Sequence, residues 1–168
     1  QRLLVISGLG LSILGLLQLI FIPNLEFLQN QGWDPHFFRT ASTFLDPNFL
    51  GGYLNLTLLF MMSLRATERS VVMTVTYLAL LTTFSRGAYL AFVTSFGIYS
   101  ILKRSTKLFF LTILLFSGLL LGFFAYQHLV AAPRGVDRTQ SAEFRLNTWQ
   151  QGWTIFQNQP ILGVGFNA

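Results

Sequence analysis

Five long uncharged runs divide the chain, and they predict its helices before any other feature is considered. The runs are Leu3–Leu25, Pro47–Leu64, Ser70–Ser85, Gly87–Leu102 and Leu108–Pro133. An apolar helix of about 20 residues spans a bilayer, so this pattern is typical of a polytopic membrane protein. We predict an all-α, polytopic transmembrane helix bundle with about five spans, near residues 3–22, 47–64, 70–84, 88–102 and 108–127.

A single charge, Arg86, separates the two shortest runs. One helix over residues 70–102 would be nearly 50 Å long, against a hydrocarbon core of about 30 Å. We therefore predict a helical hairpin, with Ser85 and Gly87 in the tight reversal. Each arm of about 16 residues is shorter than the core, which recesses Arg86 beneath the outer surface. An ionisable residue at membrane depth is costly and usually functional.

Two short basic loops set the predicted orientation. Arg65–Arg69 and Lys103–Lys107 fall on the same side of the membrane if every run crosses once. The positive-inside rule makes that side cytoplasmic. The loop 23–46, the Arg86 tip and the segment 128–168 then lie on the outer side.

The outer segment 128–168 contains a predicted amphipathic helix. Apolar residues recur at helical spacing, namely Ala142, Leu146, Trp149, Trp153 and Phe156. We predict that Ser141 caps its start and that Asn158-Gln159-Pro160 ends it. Such a helix lies flat on the membrane or on the bundle. Arg145 flanks the apolar stripe, so it either points into a cleft or remains exposed.

The composition narrows the classes of function. Only 10% of the residues are charged, well below the roughly 25% of soluble domains. The net charge of +5 is scattered over short loops, which argues against a nucleic-acid partner. There is no cysteine, and His36 and His128 are isolated, so we predict no metal site. Because the chain begins at Gln1 and stops inside a Gly-containing segment, we interpret residues 1–168 as a piece of one larger membrane domain, cut at both ends.

The predicted outer side is rich in arginine. Its members are Arg39, Arg86, Arg134, Arg138 and Arg145. Arginine binds phosphate bidentately and stays charged when desolvated, so an arginine-lined cleft suits a lipid-linked diphosphate. It would stabilise charge on a diphosphate leaving group without a metal. The uses of Arg134 and Arg138 stay open at this point.

Two further motifs can each be interpreted as structural or as functional. Asp46-Pro47-Asn48 is a good helix start, with Asp46 as N-cap and Pro47 in the first turn. Asp46 alternatively orients Arg39 or a sugar hydroxyl. Gly51 and Gly52 are expected to allow close helix packing. The turn around Gly163 and Gly165 either offers amides to an anion or simply precedes a packed helix.

Four short motifs occur in a fixed order on this helical pattern. They are Arg39 with Asp46-Pro47-Asn48; Thr83-Phe84-Ser85-Arg86-Gly87; Arg145 with Trp149; and Pro160-Ile161-Leu162-Gly163-Val164-Gly165-Phe166. Over about Arg39–Asn167, the chain resembles the superfamily of O-antigen ligases and O-antigen polymerases, which are bacterial envelope glycosyltransferases. The resemblance implies one membrane domain in the bacterial inner membrane, with its active face periplasmic.

The resemblance also implies an activity and its partners. Family members transfer a glycan from an undecaprenyl-diphosphate carrier to a sugar hydroxyl, on lipid A-core for ligases and on another lipid-linked glycan for polymerases. The expected enzyme is metal-independent and inverting, needs no cofactor, and contacts the lipid-linked donor, the acceptor and membrane lipids. Arg86 and Arg145 match the arginines that stabilise the diphosphate. Further substrate contacts are expected from Arg39, Asp46, Asn48, Arg138, Gly163 and Gly165.

One part of the family's machinery is not matched. The candidate general base is a histidine in a later outer region, and neither His36 nor His128 corresponds to it. A general base contributes about 10²–10⁴-fold, so residues 1–168 alone are expected to be inactive or nearly so. Two alternatives also follow from the residues: a transporter subunit for an inorganic anion such as bicarbonate, and a structural membrane protein with snorkelling arginines.

Overall fold

The computed structural model describes residues 2–27, 36–62, 66–134, 138–160, 163 and 165. Within these ranges the chain is helical apart from its connections, and the only β-type pairing is an isolated bridge between Asn24 and Phe37. The predicted all-α class is confirmed. The chain divides into two compact units, residues 1–130 and residues 131–168.

Each of the five uncharged runs corresponds to one helix of the first unit, although some helices begin a few residues before the run. The helices are α1 Arg2–Phe21, α2 Pro47–Met61, α3 Ala66–Thr82, α4 Arg86–Leu102 and α5 Thr106–Tyr126. A 3₁₀ turn, Ser42–Phe44, precedes α2, and a π turn, Gln127–Ala131, extends α5. The predicted hairpin is confirmed, because residues 83–85 separate α3 from α4 and the Tyr77 and Phe92 rings of these helices lie with centroids 6.1 Å apart. Ser85 lies in the reversal as predicted, whereas the same prediction for Gly87 is wrong, because Gly87 is the second residue of α4.

Two helices have the length and apolar composition needed to cross a membrane. They cover Arg2–Phe21 and, with the π turn, Thr106–Ala131. The apolar part of α3, Ser70–Thr82, is shorter, and α2 and α4 have 15 and 17 residues. A straight helix of 17 residues measures about 25 Å, less than a core of about 30 Å. The described residues thus contain two candidate spans, and five crossings stay a prediction.

One hydrophobic core joins the helices of the first unit. Helix α2 buries Leu50, Leu54, Leu58 and Met61, which lie on one face at spacings of four, four and three residues. These side chains pack with buried residues of α3, α4 and α5, namely Ala79, Leu80, Ala88, Tyr89, Phe92, Phe96 and Leu119. Many apolar residues on the other faces are exposed, as expected for helices that meet lipid.

The adjacent glycines of α2 differ in their surroundings. A Cβ atom at Gly51 would lie 2.6 Å from the Ala88 Cβ, so glycine is needed for this approach of α2 to α4. A Cβ at Gly52 would meet nothing within 4 Å. The packing role predicted for Gly51 is confirmed, and the same role for Gly52 is wrong because Gly52 faces away from the neighbouring helices.

The second unit contains a 3₁₀ turn, Ala132–Arg134, and helix α6, Arg138–Asn158. The predicted end of this helix at Asn158 is confirmed. The predicted N-cap is wrong, because α6 already includes Ser141 in its first turns. Apolar side chains of α6 are exposed, among them Leu146 and Trp149, and the Trp153 and Phe156 rings stack with centroids 5.5 Å apart.

Candidate functional site

The reversal between α3 and α4 places Arg86 at the first position of a helix. Phe84 adopts the left-handed conformation with φ of 47°, which turns the chain sharply after α3. Ser85 is extended and caps α4 by accepting a hydrogen bond from the Ala88 N–H at 3.3 Å. Ser85 is buried, whereas Arg86 is exposed. The predicted reversal therefore presents a single arginine on a fixed helix start.

Arg39 and Thr40, from the segment before α2, cap the end of α3. The Thr40 N–H donates to the Thr82 carbonyl at 3.0 Å, and the Thr40 and Thr82 hydroxyls lie 2.6 Å apart. The Arg39 guanidinium donates from Nε to the Thr83 carbonyl at 2.8 Å and from Nη2 to the Phe84 carbonyl at 3.5 Å. Helix ends leave carbonyl groups without intrahelical partners, and these bonds satisfy them.

The start of α2 lies beside the start of α4. Asp46 is the N-cap of α2, and its Oδ1 accepts from the Asn48 N–H at 2.6 Å and from the Phe49 N–H at 3.2 Å. The Ser85 hydroxyl donates to Asn48 Oδ1 at 2.8 Å. The predicted cap is confirmed, and Asn48 is linked to the residue that immediately precedes Arg86. We name residues 37–49, 82–88 and Tyr126 the Arg86 end.

An aromatic contact from α5 completes the Arg86 end. The Tyr126 and Phe84 rings stack with centroids 4.1 Å apart and planes 12° from parallel. The Tyr126 hydroxyl donates to the Phe37 carbonyl at 2.9 Å. Tyr126 and Thr40 were missed by sequence reasoning, since their partners lie 89 and 42 residues away along the chain. No local pattern in the sequence signals either contact.

Backbone strain concentrates at the Arg86 end. Phe38, Ser42, Leu45 and Phe84 all have positive φ, between 47° and 55°. Such conformations cost of order 1–3 kcal/mol each in non-glycine residues and persist where surrounding contacts hold them. The hydrogen bonds made by Arg39, Thr40, Asp46 and Tyr126 hold the backbone in this way. The strain therefore lies where the sequence predicts chemistry.

The structure thus brings four of the predicted site residues together. Arg39, Asp46, Asn48 and Arg86 all belong to the Arg86 end, with Arg39 buried and Arg86 exposed. Helices α2 and α4 begin there, and α3 ends there. The opposite end of α4 carries Lys103 and Arg104, about 25 Å away along the helix. The basic turn and the Arg86 tip therefore lie at opposite ends of this helix, as the charge pattern predicts.

The remaining predicted site residues belong to the second unit. Arg138 and Arg145 lie in α6, and their side chains are outside the described part of the chain. Gly163 and Gly165 have φ of 62° and 85°, a conformation that favours glycine. The Gly163 N–H donates to the Gln159 carbonyl at 3.1 Å, so it continues the helical hydrogen bonding past α6. The Gly163 N–H is therefore already paired and does not offer its hydrogen to an anion.

Comparison with known proteins gives one family. A family model described as O-antigen ligase matches residues 70–168, which is more than half of the chain. The matched region contains α3 from Ser70 onward, α4 with Arg86, α5 and the whole second unit. Neither curated proteins nor solved structures gave a match to this chain.

Proposed function

The chain belongs to the O-antigen ligase family, and on this premise we propose that it transfers a glycan from an undecaprenyl-diphosphate carrier to a sugar hydroxyl. The family is a membrane family of ligase-type glycosyltransferases acting on lipid-linked glycans. The proposed acceptor is lipid A-core or another lipid-linked glycan. The observation that carries the proposal is the family match across the hairpin that presents Arg86. Nothing in the comparisons supports the anion-transporter alternative.

The placement of Arg86 suits an anionic ligand. It is the first residue of α4, where the helix dipole contributes partial positive charge. The dipole disfavours a cation there by about 0.3–1 kcal/mol at an exposed site, whereas it stabilises a bound anion by a similar amount. Arginine also forms paired hydrogen bonds to phosphate oxygens. The helix start and the guanidinium therefore favour the same ligand, a phosphate group of the donor.

The proposed reaction is a displacement at the anomeric carbon. The acceptor hydroxyl oxygen forms a bond to this carbon, and the bond from the carbon to the diphosphate oxygen breaks. Attack opposite to the leaving group inverts the configuration. Negative charge grows on the diphosphate, and Arg86 stabilises it without a metal ion. The hydroxyl proton passes to a general base, to which we assign no residue among 1–168.

Three other predicted site residues have roles in this proposal. Asn48 is exposed beside Ser85, and its Oδ1 accepts from the Ser85 hydroxyl. Its Nδ2 is therefore the group that would form a hydrogen bond to the lipid-linked glycan. Arg145 is assigned to the diphosphate on the family resemblance. Asp46 acts through the helix start that it caps, because its Oδ1 is occupied by two backbone amides.

The proposed orientation places the Arg86 end on the periplasmic side of the inner membrane. The basic turn at Lys103 and Arg104 lies at the other end of α4. The positive-inside rule makes that turn cytoplasmic. A cysteine introduced at exposed Gly87 should react with a membrane-impermeant thiol reagent added from the periplasm, and a cysteine at Arg104 should not.

The proposed activity is tested by glycosyl transfer in proteoliposomes. The intact protein is supplied with an undecaprenyl-diphosphate glycan and, in separate reactions, lipid A-core or a second lipid-linked glycan. Wild type should transfer, and Arg86→Ala and Arg145→Ala should each lose about 10²–10³-fold, with membrane insertion unchanged. Absence of transfer in wild type with both acceptors, or normal transfer in both variants, contradicts the proposal.

A further inference from the structure

The buried arginine of the Arg86 end has a different environment from Arg86. We infer that Arg39 is a positioning residue: its guanidinium fixes the α3–α4 reversal and so sets the place of Arg86, while Arg86 contacts the diphosphate. The inference rests on the proposed function for the role of Arg86. It revises the substrate contact that the sequence predicts for Arg39.

The role of Arg39 follows from the hydrogen-bond partners of the carbonyl groups at the end of α3. The Leu80 and Leu81 carbonyls accept from the N–H groups of Thr83 and Phe84, at 3.1 and 3.3 Å. The next carbonyl, of Thr82, accepts from Thr40 N–H.

The carbonyls of Thr83 and Phe84 are the last two before the N-cap Ser85, and they accept from Arg39. Each carbonyl from residue 80 to residue 84 therefore has a partner, and Arg39 supplies the final two. Without it, a buried carbonyl would lose its hydrogen bond within three residues of Arg86.

The two arginines also stand in opposite relation to the helix dipoles. The Arg39 guanidinium lies at the C-terminus of α3, where partial negative charge from the helix stabilises a cation. Arg86 lies at the N-terminus of α4, where the dipole opposes its charge. The charge of Arg39 is thus offset within the fold, whereas that of Arg86 becomes favourable when an anion binds.

The segment that carries Arg39 is itself anchored to α1. Gln18 Oε1 accepts from the Ala41 N–H at 2.9 Å and from the Ser42 N–H at 3.3 Å. Thr40 is fully buried, and a Cβ at Gly15 would overlap its Cγ2 atom. Helix α1 therefore fixes this segment, and the segment in turn fixes the reversal. A position error of about 1 Å in a catalytic group can cost about 10²-fold in rate, so this support matters for Arg86.

Two substitutions of similar length separate positioning from charge. In Arg39→Gln, the amide nitrogen is as many bonds from Cα as the arginine Nε, so the variant keeps a donor for the Thr83 carbonyl and loses the charge. Arg39→Met keeps a side chain of the same length as glutamine and loses both the hydrogen-bond donor and the charge. We expect Met to lower kcat of transfer about 10²-fold and Gln to recover most of kcat.

The opposite result identifies a direct ligand. If Arg39 holds the diphosphate through its charge, Gln and Met will be equally impaired, because both lack that charge. That outcome overturns the inference. The Gln variant decides the question even where the Met variant fails to insert, because its expected near-normal kcat is incompatible with a charge contact.

A spectroscopic measurement tests the same inference independently of activity. The 168 residues contain no cysteine, and Gly87 is exposed with nothing within 4 Å of a Cβ placed there. A nitroxide label on Gly87→Cys should become more mobile in Arg39→Met and stay as in the parent in Arg39→Gln. Unchanged mobility in Arg39→Met overturns positioning. If wild type shows no transfer, the proposed function fails, and label mobility still decides whether Arg39 holds the reversal.

Discussion

Two helix reversals of the first unit have the same local design and different surroundings. Between α3 and α4, Phe84 is left-handed with φ of 47° and Ser85 caps the next helix. Between α4 and α5, Arg104 is left-handed with φ of 50° and Ser105 caps the next helix. Each cap serine accepts from the amide three residues later, at 3.3 Å in both cases.

The difference lies in what closes each turn. The second reversal closes on its own helix, since the Ser105 N–H donates to the Ser100 carbonyl at 3.1 Å, and Arg104 is exposed. The first reversal is closed by Arg39 and Thr40 from a distant segment and by stacking of Tyr126. The same turn chemistry thus makes a simple connection in one place and a rigid support for Arg86 in the other.

The largest expected effect distinguishes the arginines of the two reversals. Arg86→Ala should lower transfer about 10²–10³-fold, because it removes a donor that stabilises the leaving diphosphate. Arg86→Lys should keep part of the activity, since lysine supplies charge without the paired geometry. Arg104→Ala is the matched control and should transfer within about twofold of wild type. Transfer assays in proteoliposomes measure all three, and equal losses at Arg86 and Arg104 would refute the distinction.

The next effect concerns the packing that holds α2 against the first reversal. Gly51→Ala should cost about 1–3 kcal/mol of stability, because its methyl group would overlap the Ala88 Cβ. Gly52→Ala is the control; it should be neutral or stabilise by up to about 1 kcal/mol, since alanine favours helix. Thermal unfolding in detergent reports both. A Gly51→Ala protein as stable as Gly52→Ala would show that α2 does not pack closely there.

The two cap serines are expected to differ more modestly. Ser105→Ala should cost about 1 kcal/mol through loss of its cap bond. Ser85→Ala should cost more, because the same hydroxyl also donates to Asn48 Oδ1. A double-mutant cycle between Ser85→Ala and Asn48→Ala should give a coupling energy of about 0.5–1.5 kcal/mol in thermal unfolding. Additive effects would mean that this contact contributes nothing.

The smallest expected effect removes one hydroxyl from the support of the first reversal. Tyr126→Phe keeps the ring that stacks on Phe84 and loses the hydrogen bond to the Phe37 carbonyl. The expected loss of stability is about 0.5–1.5 kcal/mol, with transfer reduced less than by Arg86→Lys. Thermal unfolding and the transfer assay check the two parts. A loss of transfer as large as that of Arg86→Ala would assign Tyr126 to the reaction itself.

The sequence predicts the local features of this fold well. The charge at Arg86 between two short uncharged runs indicates the hairpin, and the Asp46–Pro47 pair indicates the start of α2; the structure has both. The helix start depends on residues within one helix turn, and the hairpin on the lengths of two adjacent uncharged runs, so neither signal requires knowledge of a distant contact. The N-cap predicted at Ser141 failed because serine is also tolerated within the first turns of a helix, where α6 places it.

The supports of the site were not predictable in the same way. Arg39 binds carbonyl groups 44 and 45 residues away, and any carbonyl of the chain has the same chemistry in the sequence. Only the folded arrangement specifies which carbonyls it reaches. Sequence reasoning therefore grouped Arg39 with Arg86 as two phosphate ligands, whereas the structure gives one of them a main-chain contact and leaves the other exposed.

The central claim is that Arg86, on its supported reversal, contacts the diphosphate of the donor. The most direct measurement compares binding of undecaprenyl diphosphate and undecaprenol by the intact protein in nanodiscs. Wild type and Arg104→Ala should prefer the diphosphate by about tenfold or more, since charge-assisted hydrogen bonds contribute about 1.5–3 kcal/mol. Arg86→Ala should lose most of this preference, and a preference in Arg86→Ala equal to that of wild type would contradict the account.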